Sequence, residues 1–458
     1  MAKGVWNGRR VVLLSGVVFA ACTLCAADFS GPAAWSLVNT NAVNAWNETR
    51  QRAASATFKV WPGVVADQQK CEVRLLAEAV GHRVGITAEF LLVGPLSDRA
   101  YEAGAVTVAM PSDIVKAVES LGVARGGGVG SRPFRFWPVG ERMTAAVRRL
   151  DVPDSPEKPL HTLIADQEAS APLLGEGGLV FTGGGWENRV CVTDTNMPSS
   201  VISLYNAGET VFDVPFQVGQ TEVYGRLSLA EALPYGTLLE VVLRPLAADG
   251  KPRVLPLTAL ASMDGGAVAV TCKGADGSLL KQAGLADALT WLRGQAESGR
   301  ELFVTVEMDD AMPLKRAVDV ARVFGMLDGK GLKLDGKTGQ GLFTRAFLPL
   351  EKWREREGRN PQPFELHVTA GVDGTLKKKL IFIEEDWTVE GLDPKLTPRE
   401  YPFEKWEELP GLVKKAGGSD NKVRVLFVFA PPELPLGVFM PGVRAVAERL
   451  PLVYVFGG

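Results

Sequence analysis

Histidine is scarce in this sequence, with only His82, His161 and His367 among 458 residues. No two are close along the chain, and none stands in a His-x-x-x-His or Cys-x-x-Cys setting of the kind that holds zinc. No Gly-x-Ser-x-Gly elbow is present to pair a serine with any of them, which leaves a dispersed Ser-His-Asp triad as the one hydrolytic arrangement of that type. Each histidine therefore reads as a surface or strand residue. Basic tracts are equally rare. Beyond Lys377, Lys378 and Lys379, which read as facing solvent along a strand, nothing resembles a nucleic-acid footprint. Cysteine numbers five, and two of these, Cys22 and Cys25, lie in the first 27 residues. The remaining Cys71, Cys191 and Cys272 are odd in number, so at most one intrachain bridge forms. The sequence does not choose a pair, and buried free thiols are the simplest reading.

Long apolar runs are absent except at the start. Lys3, Arg9 and Arg10 precede a mostly apolar stretch over 11–25, followed by Ala26, Ala27 and then Asp28. A basic segment, an apolar segment and a small-residue exit are the order of a secretory signal, and a run this short falls below the ~20 residues of a spanning helix. Cleavage after Ala27 is expected, giving a periplasmic or secreted protein. Lipidation at Cys22 and retention as an N-terminal anchor are the alternatives. Removing the three basic residues takes the 50 Lys and Arg to 47 against 53 Asp and Glu, which shifts the net charge from −3 to −6. A mildly acidic chain has little to offer nucleic acid.

The length after the signal suits about three domains at ~150 residues each. Residues 28–54, rich in Asn, Ala and Trp, read as a leader or linker, with order beginning near Phe58. Residues 55–262 read as a β-rich domain of short strands around 72–77, 86–93, 134–138, 144–150, 179–182, 190–193, 201–205 and 238–243. One helix interrupts them over 111–121, where Ile114, Val115, Val118 and Leu121 recur at helical spacing, with Pro111 in its first turn and Gly122 at its stop. Beyond about residue 257 an internal repeat is read. Val270-Thr271 followed by Asp276-Gly277 returns as Val368-Thr369 followed by Asp373-Gly374, and Asp-Gly between alternating flanks signals a hairpin. Each copy then continues helix, strand, helix, strand: 285–297, 302–308, 314–327 and 331–334, answered by 403–415, 423–429, 439–450 and 452–456. The units are set at 263–345 and 346–458, the second enlarged by an insertion over 383–401. The fold class expected is multidomain α+β, a β-rich domain followed by two small α/β repeats.

The segment from about 55 to 246 resembles the YdjY-type domain, a family of exported or envelope proteins without an established activity. The residues behind the resemblance are Ala88-Glu89-Phe90-Leu91-Leu92-Val93, Tyr101-Glu102, Pro111 to Gly122, Val180-Phe181-Thr182-Gly183, Ile202 to Asn206 and Pro234-Tyr235-Gly236-Thr237. This implies a fold more than a function. Residues 265–335 and 364–456 each resemble the periplasmic domain of ExbD/TolR-type biopolymer-transport proteins through their order of hairpin, helix, strand, helix, strand. That family carries an Asp in its membrane helix, whereas residues 11–27 contain no acid. The motor chemistry is therefore not carried over.

Four further clusters merit a chemical reading. Gly126-Gly127-Gly128-Val129-Gly130-Ser131 lacks the Lys-Ser/Thr pair of a phosphate cradle, being followed by Arg132-Pro133, and reads as a flexible loop. Gly183-Gly184-Gly185-Trp186 reads as a turn pinned by a tryptophan that caps the core, or else as a close backbone approach to a ligand. Glu307, Asp309 and Asp310 between strand and helix suit either a divalent cation or a helix cap, with the cap preferred. Ala430-Pro431-Pro432-Glu433 stands in their place in the second copy, so no metal site is shared. Glu384-Glu385-Asp386 reads as a solvated turn. No catalytic, cofactor-binding or metal-binding residue is assigned, and no cofactor is expected. The function expected is that of a non-catalytic envelope binding or scaffold protein, with a protein or polymer partner of unknown identity and no stable membrane span in the mature form. A hydrolase with an inter-domain site and a soluble accessory component of a biopolymer-transport-like system are the alternatives.

Overall fold

The computed structural model describes residues 38–131, 134–135, 137–167, 178–196, 198–224, 226–246, 253–327, 329, 332–334, 361–371, 374–386, 395–417, 423–446, 449–450 and 452–457. The expected signal segment, 1–27, and the first part of the expected leader lie outside them. Helices and strands are both well represented, as an α+β chain requires.

Eight strands close into a barrel: β1 (Glu72–Ala79), β2 (Phe90–Val93), β3 (Ala103–Thr107), β4 (Arg142–Arg149), β5 (Leu179–Phe181), β6 (Ser200–Ser203), β7 (Phe212–Asp213) and β8 (Leu238–Pro245). Their order is β1-β8-β4-β5-β7-β6-β2-β3, and β3 pairs back onto β1 to complete the ring. Leu75, Leu92, Phe181, Ile202, Phe212 and Val241 belong to its buried core. An eight-stranded barrel is just wide enough for side chains to fill. The residual apolar cavity, bordered by Leu91, Leu163, Leu239 and His82, is about 30 Å³, room for roughly one water.

Two barrel pairs are parallel, β2 with β3 and β6 with β7. Parallel neighbours cannot be joined by a tight hairpin. The chain therefore crosses back over 94–102 and over 204–211.

Helix α2 (Pro111–Glu119) forms where its spacing predicts it, with Pro111 at its first turn and Ile114, Val115 and Val118 buried. The expected leader is corrected. Residues 40–52 form helix α1 (Thr40–Arg52), which buries only Val43 and is held by polar contacts rather than by an apolar stripe. Glu78 accepts from the backbone N–H groups of Val38 (3.1 Å) and Asn39 (3.3 Å) at the start of α1. Asn47 Oδ1 accepts from the Gly63 N–H at 2.9 Å. Apolar periodicity could not announce a helix fixed in this way.

The C-terminal part carries two five-stranded sheets. The first has the order β11-β10-β9-β12-β13, built from β9 (Val254–Asp264), β10 (Ala267–Gly274), β11 (Leu279–Gly284), β12 (Glu301–Met308) and β13 (Leu332–Leu334). The second has the order β16-β15-β14-β17-β18, built from β14 (Pro361–Ala370), β15 (Leu376–Asp386), β16 (Lys395–Phe403), β17 (Val423–Ala430) and β18 (Leu452–Gly457). Helices α3 (Leu285–Glu297) and α4 (Leu314–Leu327) accompany the first sheet, and α5 (Leu409–Ala416) and α6 (Leu436–Val446) the second. One buried apolar cluster runs through both, including Leu292, Phe324, Phe364 and Phe439.

Three expectations change here. The sequence echoes do not occupy corresponding places: Val270-Thr271 lie on β10, next to an edge strand, whereas Val368-Thr369 lie on the central β14. The stretch read as an insertion contains strand β16, which pairs with β15 from Lys378 opposite Phe403 to Asp386 opposite Lys395. Because Phe403 ends that strand, the expected helix over 403–415 is instead a 3₁₀ turn, Trp406–Glu408, followed by α5.

Candidate functional site

The two glycine-rich segments meet on one crossover. An added Cβ at Gly126 would sit 1.8 Å from the Val139 carbonyl oxygen, and one at Gly128 would sit 2.2 Å from the Gly208 carbonyl oxygen. Gly127 and Val139 also exchange both backbone hydrogen bonds, at 2.8 and 2.9 Å. The run is thus a close backbone pass and not the flexible loop expected. On the other side, a Cβ at Gly185 would meet the Glu209 side chain at 2.9 Å. Gly183 and Gly184 adopt φ of +82° and +73°, a region open to glycine at little cost. Trp186 donates its indole N–H to the Gly183 carbonyl at 2.7 Å, and the Arg125 guanidinium lies 3.9 Å from its ring centroid. The turn is pinned by its tryptophan.

Between Val129 and Gly130 of the first segment and residues 205–210 lies a cleft of about 380 Å³, within the ~300–1,000 Å³ range of small-molecule sites. Its lining includes Thr193, Asn196, Ser199, Tyr205, Glu209 and Thr210. Asn206 fixes the crossover: its side-chain amide accepts from the Val218 N–H (2.9 Å) and donates to Asp213 (3.1 Å) and to the Val214 carbonyl (3.3 Å). Thr193 donates to the Glu209 carbonyl at 2.6 Å, and the Ser200 and Thr210 hydroxyls are 2.8 Å apart. At the rim, Asn196 Nδ2 donates to Glu209 Oε2 at 2.6 Å. Tyr205 packs its ring on Phe90 with centroids 5.6 Å apart, and burial pushes its phenol pKa upward. Ser199 is buried with φ of +53°, a conformation costly for a residue with a Cβ. Gly94 permits it, since a Cβ there would sit 2.3 Å from Ser199 Oγ.

Among the described residues the lining of this cleft contains no histidine, lysine, arginine or cysteine. It offers hydroxyl, amide and backbone groups with one carboxylate, and no base stands beside a nucleophile. Of the two glycine-rich segments only Val129 and Gly130 reach the lining, and they stand in the run expected to be a flexible loop. Thr193, Asn196 and Glu209 were missed, because nothing local marks polar residues that only tertiary packing assembles.

The other candidates separate. His82 borders the small barrel cavity, His161 lies in the 3₁₀ turn Leu160–Leu163, and His367 on β14 contacts Glu365 (2.9 Å) and stacks on Phe429 (4.7 Å). Asp309 accepts from the Ala311 N–H at 2.7 Å, shaping the turn before α4, while Asp310 pairs with Arg444 of α6 at 3.1 Å. Among the described residues no three His, Cys, Asp or Glu side chains gather as a metal site. Glu384 pairs with Arg399 at 2.9 Å along the β15–β16 hairpin, and Lys379 with Glu400 at 3.0 Å. Cys71 is exposed, whereas Cys191 and Cys272 are buried, and all three are free. Burial raises the Cys191 thiol pKa and lifts that of Cys272 to about 11. Among the described residues no helix is long and apolar enough to cross a membrane.

No family model and no curated protein matches this chain. Among solved structures, the native crystal structure of the prototype foamy virus protease-reverse transcriptase aligns with 46% of this chain and 37% of that chain. The identity is 8% and the TM-score 0.15. A likeness at that level carries no argument.

Proposed function

We propose that this chain is an exported cell-envelope binding or scaffold protein, and that the cleft beneath residues 205–210 is its ligand site. The observation that carries this reading is the cleft itself, a polar recess with a rigid hydrogen-bonded back wall and no paired nucleophile and base. In this reading residues 55–246 are a YdjY-type domain, supported by the way Phe90 to Val93, Val180-Phe181 and Ile202-Ser203 all fall on barrel strands, the first and last of them on neighbours. The C-terminal part is two copies of an ExbD/TolR-like unit. Their like strand orders support this, with β9 rather than β10 as the counterpart of β14. A reciprocal contact also favours it: the Leu314 N–H donates to the Leu434 carbonyl (2.9 Å) and the Leu436 N–H to the Met312 carbonyl (3.0 Å).

The test is photocrosslinking in intact cells with p-benzoylphenylalanine at exposed Thr195, beside the cleft, and at exposed Lys273 as a control. A specific adduct from position 195 alone is expected. Equal or absent capture at both positions overturns the reading. N-terminal sequencing of the same material is expected to begin at Asp28, and retention of residues 11–27 overturns the export reading.

The hydrolase alternative has one observation in its favour. Tyr224 donates to Glu102 at 3.1 Å, and hydrogen bonds to Glu89 and Glu102 raise its phenol pKa, so two carboxylates converge on one hydroxyl. Glycosidase activity lost in Glu102→Gln would establish it.

A further inference from the structure

We propose that the cleft takes a neutral, polyhydroxylated ligand: a sugar ring, free or as one unit of a glycan chain. This rests on reading the cleft as a binding site and names the chemistry it selects.

Charge selects first. Glu209 is the one charged side chain among the described residues of the lining, so a phosphate or carboxylate ligand meets a like charge there. A single carboxylate beside one amide is also too few oxygen donors for a hard cation, which takes six or more. Polarity selects next. Hydroxyl, amide and backbone groups make up much of the wall, and desolvating them against an acyl chain would leave hydrogen bonds unmade.

Most hydroxyls of the back wall are already engaged. Thr193 is spent on the Glu209 carbonyl, and Ser200 and Thr210 on each other, while the buried Ser199 Oγ has no partner among the described residues. Recognition otherwise falls to the rim, where the 2.6 Å contact holds the Asn196 amide and the Glu209 carboxylate side by side. Each planar group uses only part of its capacity in that contact. Asn196 keeps Oδ1 and a second N–H, and Glu209 keeps Oε1 and further lone pairs. Two adjacent planar groups presenting acceptors and one donor match the vicinal hydroxyls of a sugar, since each hydroxyl both donates and accepts. Tyr205, held by Phe90, adds a fixed aromatic surface at the lining for the apolar face of a ring. The volume of about 380 Å³ accommodates a ring of that size.

The test uses the full exported chain in saturation-transfer NMR and calorimetry against glucose, galactose, N-acetylglucosamine and maltose, with glucose 6-phosphate as the charged control. Saturable binding of at least one neutral sugar is expected, with the phosphorylated sugar about tenfold weaker. Asn196→Ala and Glu209→Ala should each weaken binding by about tenfold. Both side chains are exposed, and unchanged thermal melting of the variants excludes misfolding as the cause. No binding across the neutral panel, or an affinity unchanged from the parent in both variants, overturns the proposal. If photocrosslinking beside the cleft captures a partner while no sugar binds, the ligand class falls and the binding site stands. If neither is seen, both fall.

Discussion

Arg148 on β4 places a guanidinium nitrogen 2.6 Å from the carboxylate of Glu240 on β8, and that carboxylate is fully buried. Two more cations approach it, Arg50 of α1 at 3.3 Å and Arg74 of β1 at 3.6 Å. The indole of Trp46 donates to it at 3.4 Å. The barrel wall and the N-terminal helix are thereby joined through one acid that contacts both.

Replacing Glu240 by alanine leaves a void and removes the acid that Arg50 and Arg148 contact, while Arg74 keeps its pair with Glu72. Removing one partner of a buried ionic network costs ~3–5 kcal/mol, so Glu240→Ala should lower the urea midpoint sharply. Arg52→Ala is the control, since its pair with Glu48 is solvent-exposed and should change little. Equal midpoints for the two variants would show that the Glu240 cluster does not hold the helix.

Contacts of this kind explain which parts of the fold were legible in the sequence. Helices α2, α3 and α4 could be read because Ile114, Leu292 and Phe324 belong to apolar stripes with helical spacing, which bury one face. Helix α1 was invisible because Trp46, Asn47 and Arg50 bind polar groups far away in the chain. Strand β16 was misread as an insertion because its residues alternate weakly at an exposed edge, where Glu400 and Arg399 face salt-bridge partners rather than a core. At the cleft the glycine run reads as a flexible loop, and the Asn196–Glu209 pair depends on a crossover that no local pattern announces.

Glu78 makes the docking of α1 sensitive to pH. Burial raises its pKa above the usual 4.5, despite the opposing hydrogen bonds from Asn39 and Val38. A carboxyl whose folded pKa is raised contributes stability that is complete below the unfolded value and lost as pH rises through the folded one. In Glu78→Gln that slope is absent. The stability of the variant relative to the parent should therefore rise from pH 4 to about pH 7 in denaturant titrations. A difference independent of pH would mean that Glu78 does not titrate in the docked state.

The three cysteines of the described residues differ in access. Cys71 is exposed in the turn before β1, while Cys191 and Cys272 are buried, with thiol pKa values raised by desolvation. Thiolate is the reactive form. In a protein with Cys22 and Cys25 changed to serine, a maleimide reagent should add one label rapidly under native conditions and two more after unfolding. Mass spectrometry should map the first to Cys71. Rapid native labelling at Cys191 or Cys272 would show that the hairpin pairing Cys191 with Trp186 or the first α/β sheet opens more readily than this packing allows.

Gly128 separates the shape of the cleft from its composition. A Cβ at Gly128 would come 2.2 Å from the Gly208 carbonyl oxygen, whereas one at Gly294 of α3, outside the cleft lining, meets nothing within 4 Å. The obstacle at Gly128 is backbone, which cannot swing aside as a flexible side chain would. Gly128→Ala must therefore displace residues 207–210 and with them the Glu209 side chain that Asn196 contacts. Overpacking of this kind costs ~1–3 kcal/mol, short of unfolding most domains. Ligand capture in the cleft should be lost in Gly128→Ala while the barrel remains folded by circular dichroism, and Gly294→Ala should behave as the parent. Equal capture by the two variants would show that the 205–210 crossover does not shape the site, and the cleft would lose its claim to be the place where this protein binds.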